Sequence, residues 1–216
     1  HYFLLYDLYI LDNGSDINYR ISGNHVVQLD KNYYFGGALN LAFQYILNYN
    51  EYDSLLFMNS DIVIDNPNTF VNELRYYLSD FTIISPAIQQ PVTQCYWKQM
   101  HQWNSNTIRQ VKWADFQCPL IHRRFIDKVK QYDCDLMYGW GNDVISGMIC
   151  EENNWKIGVC DNVNVLHLDG YTTKKFSNTP GISNYNYFAE KNMFNYFTQI
   201  NKMNEFIKYR SYGENY

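Results

Sequence analysis

What most constrains this chain is a rhythm: short apolar runs, each closed by a polar turn, alternate with segments of helical spacing. Residues 8–12 form an apolar run that ends in the turn signal Asn13-Gly14-Ser15, and residues 25–29 form a second run. Leu39, Ala42, Phe43, Ile46 and Leu47 then fall at i, i+3, i+4, i+7 and i+8, which predicts a helix over 36–47. Residues 54–58 are almost continuously apolar, as in a strand buried on both faces. A helix is expected over 68–78 and a strand over 81–85. This βαβα alternation predicts an α/β fold on a mostly parallel sheet.

The second half is less regular. Residues 89–117 hold Trp97, Trp103 and Trp113 among polar residues and read as a hairpin or an extended flap. Helices are expected over 122–131 and 143–153, the latter carrying Val144/Met148 and Ile145/Ile149 as i, i+4 pairs. Two short strands, 156–160 and 163–167, and one amphipathic helix over 187–208 complete the reading. The 216 residues suit a single domain and show no internal repeat.

Charge and cysteine content exclude several classes. Lys and Arg total 17 against 22 Asp and Glu, a net charge of −5, which argues against a nucleic-acid binder and against a polybasic membrane anchor. No apolar run approaches the roughly 20 residues of a bilayer span; residues 2–11 come nearest and are interrupted by Asp7. The five cysteines are scattered, without CxxC spacing, and read as reduced packing residues. With no signal peptide in view, a cytoplasmic location is expected, with the cytoplasmic face of a membrane as an alternative.

In open α/β sheets, ligands bind beyond the carboxyl ends of the strands. Three polar strand ends qualify: residues 12–15, Asn59-Ser60-Asp61, and His167 with Asp169. Oxygen ligands at i and i+2 on an extended end point the same way, which suits Mg2+ or Mn2+. By itself Asp61 reads more readily as a cap on the next segment, and His167 as a hydrogen-bonded structural residue. Gly139-Trp140-Gly141-Asn142-Asp143 precedes a helix, so Asp143 is either an N-terminal cap or a carboxylate at a site entrance beside a stacking Trp140. Gly36-Gly37 opens a helix, a weak phosphate signal by itself.

Taken in order, residues 10–15 (ILDNGS), 32–40 (NYYFGGALN), 55–61 (LLFMNSD), 118–126 (CPLIHRRFI), 139–144 (GWGNDV) and 167–172 (HLDGYT), closed by Lys191-Asn192, resemble the family 2 glycosyltransferases of the GT-A fold. The resemblance implies a twisted sheet with helices on both faces, a small additional β element and one domain over 1–216. It also implies an opening strand upstream of His1, so that the chain is expected to be N-terminally trimmed or to obtain that strand otherwise, and further domains can flank it. Donor contacts then fall on Asp12, Asn13, Gly36, Gly37, Asn40, Asn59, Ser60 and Trp140. Asp61 and His167 become metal ligands for Mn2+ or Mg2+. Asp143 becomes the catalytic base. Asn59 and Asn142 stand where the family pattern has acids. Arg123 and Arg124 match basic residues near the acceptor.

The implied activity is inverting transfer of a sugar from a nucleotide-sugar donor to a glycan or glycoconjugate acceptor, with residues 89–117 as acceptor-facing loops. The alternatives are a nucleotidyltransferase of related fold and a non-catalytic sugar-binding domain.

Overall fold

The computed structural model describes residues 7–89, 97–103, 105–168 and 184–214. Its strands are β1 (Ile10–Asp12), β2 (Val26–Gln28), β3 (Ser54–Leu56), β4 (Ile62–Val63), β5 (Ile83–Ile88), β6 (Ile108–Val111), β7 (Leu120–His122) and β8 (Ile157–His167). Its helices are α1 (Tyr34–Asn48), α2 (Pro67–Arg75), α3 (Arg123–Val129), α4 (Asn142–Glu152), α5 (Tyr185–Gln199) and α6 (Met203–Glu214).

The main sheet has the order β3-β7-β5-β8-β4, with β6 also on β8. It is α/β but mixed, which corrects the expectation of a mostly parallel sheet. β5 and β8 run parallel, whereas β7 opposes both β3 and β5, and β4 and β6 oppose β8. The reason lies in the connections. A parallel return needs a crossover of roughly a dozen residues or more, usually helical. Between β5 and β7 the described residues hold β6 and a 3-10 turn at Lys98–Met100, and no α-helix. β1 and β2 form their own parallel pair, and no ladder among the described residues joins it to the main sheet.

Both faces of the main sheet are covered, as the continuous apolar strands require. Strand alternation sorts the core. Ile83, Ile121 and Val159 pack with Leu39, Phe43, Phe125, Met148 and Phe197 from α1, α3, α4 and α5. Their neighbours Ile84, Leu120 and Cys160 face the other way, onto Phe70 and Leu74 of α2.

Three expected elements differ in outline. The strands expected at 156–160 and 163–167 are one strand, β8, whose register against β5 slips between Pro86 and Ala87, where the partner passes from Cys160 to Asn164. The expected helix over 187–208 is two helices. Its break is a Schellman turn: the Asn201 N–H donates to Thr198 O, the Lys202 N–H donates to Phe197 O, and Asn201 takes φ +55°. Across the break the Phe197 and Phe206 rings stack at 4.3 Å. α4 ends the same way, with Asn154 at φ +55°.

The segment after β5 is pinned to β8 by a buried ion pair. Arg109 Nε lies 2.7 Å from Asp161 Oδ2, with side chains 9% and 0% exposed. Ser105 Oγ and the Trp103 N–H also donate to Asp161, and the Arg109 guanidinium donates to the Gln99 and His101 carbonyls. Trp113 is wholly buried, and its indole N–H donates to Tyr209 O of α6. Cys118, Cys134, Cys150 and Cys160 are free thiols; Cys95 lies outside the described residues.

Candidate active site

Five segments meet around one cavity of about 170 Å3: the run after β3, the loop between β6 and β7, the residues leading into α4, the start of α1 and the start of α5. Phe35, Asn59, Asp115, Phe116, Gln117, Tyr138, Gly139, Trp140, Asp143 and Tyr185 line it. The Asn59 N–H donates to Gln117 O, which holds the first two segments together. Gly139 and Gly141 take φ +96° and +90°, values L side chains rarely adopt, and a Cβ on Gly139 would fall 2.7 Å from the Phe35 ring. These two glycines let the chain turn sharply into α4 and set Asp143 in its first turn. Tyr34, at φ +58°, opens α1 with its ring against Tyr138, and Tyr138 packs on Tyr185.

Two carboxyl groups share the cavity, and both are pushed upward. Burial lifts Asp143 first, the negative charge of Asp115 lifts it further, and it reaches about 8 despite the opposing pull of backbone N–H groups and of Arg210. Burial also raises Asp115, partly offset by His167. Gln117 Nε2 donates to Asp115 Oδ2 at 2.8 Å, and the Asp115 N–H contacts Met100 Sδ at 3.3 Å.

Beside this cavity's Asn59, antiparallel pairing of β4 with β8 sets Ile62 opposite His167. The Leu168 N–H donates to Asp61 O, and Asp61 Oδ2 lies 3.3 Å from His167 Nε2. The two side chains are 19% and 13% exposed. Ligands at about 2.0–2.1 Å from one small divalent ion, in adjacent octahedral positions, stand roughly 3 Å apart. The oxygen and nitrogen donors of Asp61 and His167 therefore fit such an ion. Among the described residues, three donor atoms fall within 4.8 Å of one another at Asp133, Cys134 and Asp135, a mostly exposed acidic turn of a kind common without any ion.

The structure divides the residues selected from sequence. Asn59, Trp140 and Asp143 line the cavity, and Asp61 pairs with His167. Asp12, Asn13, Gly36, Gly37, Asn40 and Ser60 do not line it. Asp12 is buried; its Oδ1 accepts the Ser15 N–H, and hydrogen bonds from Ser15 hold its carboxyl below the usual range. Its Oδ2 is buried without a partner among the described residues. Asn13 ties the 12–15 turn to the start of α1 through Tyr33 N, Tyr34 O and Asn32. Gly36 gives α1 close approach to the turn at Cys134–Leu136, where a Cβ would meet Leu136 O at 2.4 Å. Gly37 sits against Tyr33, and Asn40 exchanges two hydrogen bonds with the Tyr132 backbone. Ser60 is exposed. Arg123 bonds the Tyr49 and Tyr52 carbonyls and Asp127, a tie between α3 and the end of α1. Asp169 lies outside the described residues, as do 90–96 and 104 of the expected flap.

Asp115 and Gln117 were not selected from sequence. The available signal was an acid inside Trp113-Ala114-Asp115-Phe116, an aromatic run leading into a buried strand, where a charge needs a reason. The aromatic walls Phe35, Tyr138 and Tyr185 carry no local signal, because aromatic residues are abundant throughout the chain.

No protein-family model matches this chain, and no curated protein matches it. Among solved structures, A197 from STIV is similar over 74% of this chain and 83% of its own, at 15% identity and a TM-score of 0.48. At that similarity the neighbour says nothing about activity. Among the described residues no helix is long and apolar enough to cross a membrane.

Proposed function

We propose that this chain is an inverting glycosyltransferase of the GT-A type, resembling family 2, that moves a sugar from a nucleoside-diphosphate sugar to a hydroxyl of a glycan or glycoconjugate. The observation that carries the reading is the convergence of Asn59, Trp140 and Asp143 from distant segments onto one cavity, with Asp61 and His167 paired beside it. Asp143 removes the proton of the acceptor hydroxyl as that oxygen bonds to the anomeric carbon. The bond from that carbon to the diphosphate oxygen breaks, and its electron pair leaves with the diphosphate. Attack opposite the leaving group inverts the configuration. Burial and Asp115 make Asp143 a stronger base than a solvated carboxylate, and they bring its value near working pH. Asp61 and His167 are the residues to hold Mn2+ or Mg2+, which when bound supplies neutralising charge for the leaving diphosphate.

The deciding experiment is a panel of nucleotide sugars incubated with the protein, with and without Mn2+, with nucleoside diphosphate as the measured product. Turnover of one donor that stops on chelation, and that Asp143→Asn lowers about 100- to 10,000-fold, is the expected result. Release of pyrophosphate identifies a nucleotidyltransferase instead. Donor binding without turnover under any condition identifies a sugar-binding domain.

A further inference from the structure

We propose that Asp115 is a substrate-reading residue: together with Asp143 it holds an uncharged group bearing two neighbouring hydroxyls, one hydrogen-bonded to each carboxyl group. On the transferase reading, on which this rests, that group belongs to the acceptor, and the acceptor is therefore a diol such as the edge of a sugar ring.

The lining chemistry selects the ligand. Asp115 and Asp143 enter the same cavity from separate elements, the β6–β7 loop and α4. No Lys, Arg or His is among the described lining residues, and among the described residues neither carboxylate forms an ion pair. Such a wall offers no cation to a phosphate and favours groups that hydrogen-bond to a carboxyl. Acceptors are also in excess there. The Gln117 amide turns its NH2 toward Asp115, and its Oε1 is buried without a donor among the described residues. Hydroxyl groups supply the missing donors. The remaining walls, Phe35, Tyr138, Trp140 and Tyr185, offer flat apolar faces to the C–H side of a ring. At about 170 Å3 the cavity is smaller than the roughly 300 Å3 at which pockets for drug-sized ligands begin, so it suits one ring and not a nucleotide.

Asp115 is thus distinct from the base: it orients the ring while Asp143 takes the proton. The test measures binding and does not depend on turnover. Methyl α- and β-pyranosides of glucose, galactose and mannose are titrated into the full chain in metal-free buffer, followed by saturation-transfer NMR. Each monodeoxy form of the best binder is then measured. The expected result is that one glycoside binds, that removing either of two adjacent hydroxyls weakens it about tenfold on the unmodified protein, and that removing the others does not. Asp115→Asn weakens the parent glycoside by the same factor, and the analogue lacking the hydroxyl that faces Asp115 binds both proteins equally. Pyrophosphate at equal concentration does not compete.

Absence of glycoside binding overturns the inference, as does a deoxy series without an adjacent pair, or full affinity in Asp115→Asn. Donor turnover without glycoside binding removes this inference and leaves the transferase reading standing. Glycoside binding without turnover of any donor does the reverse.

Discussion

Asp143 carries the sharpest consequences at the scale of single residues. Its folded value of about 8 stands above the ordinary 3.8, so the native state keeps a proton that the unfolded chain releases. The stability this confers is complete below about pH 4 and is lost as pH rises through about 8. Urea unfolding at a series of pH values between 5 and 9 is therefore expected to show Asp143→Asn gaining on the unmodified protein as pH increases. On the proposed transferase reading Asp143 is the base and must be ionised to act, so kcat/KM for sugar transfer is expected to climb with pH and level off above about 8. Asp143 and Trp140 were legible in the sequence because two glycines frame them. Asp115 was hidden because its importance comes from spatial neighbours, Asp143 and Gln117, which no local pattern records.

Most elements follow from local patterning, and the apolar runs at 8–12, 25–29, 54–58 and 81–85 appear as β1, β2, β3 and β5. The helical spacing around Phe43 located α1, and the i, i+4 pairs located α4, because both patterns sit inside one helix. The division between α5 and α6 was missed, since Asn201 lies in an otherwise continuous helical pattern and only its left-handed backbone ends the helix. Asn201→Ala is expected to cost roughly 1–2 kcal/mol in chemical denaturation, and Asn201→Gly to cost nothing measurable. The Arg109–Asp161 pair acts at the same scale by fastening the 97–111 stretch to β8. Asp161→Ala leaves a buried guanidinium without its carboxylate, and a loss of about 3–5 kcal/mol is expected by the same measurement.

For the whole molecule, the α/β class followed from alternation alone, but strand direction did not. A βαβ rhythm in sequence does not say whether a strand returns with or against its neighbour. That depends on what connects them, and here, among the described residues, β6 and a 3-10 turn stand in place of a crossover helix. The Asp61–His167 pair is a product of that mixed topology, because the antiparallel β4–β8 ladder is what sets the two side by side. Mn2+ is expected to raise the thermal unfolding midpoint of the unmodified protein, with the rise absent from both Asp61→Asn and His167→Ala. This readout needs no donor sugar.

The slip in β8 sets where its far end arrives. The strand is locked to β5 on both sides of it, with Val163 and Val165 buried beyond, and its end delivers His167 to β4. Asn162 lies between these two duties, exposed, with its Oδ1 accepting from the Tyr77 hydroxyl and the Cys160 thiol. Excising that one residue would draw the imidazole back by about 3.3 Å and turn it to the opposite side of the ribbon, with the interior packing of Ile157 and Val159 undisturbed. Natural insertions or deletions at this point would therefore retune the histidine's reach only by also turning Val163 and Val165 out of the interior.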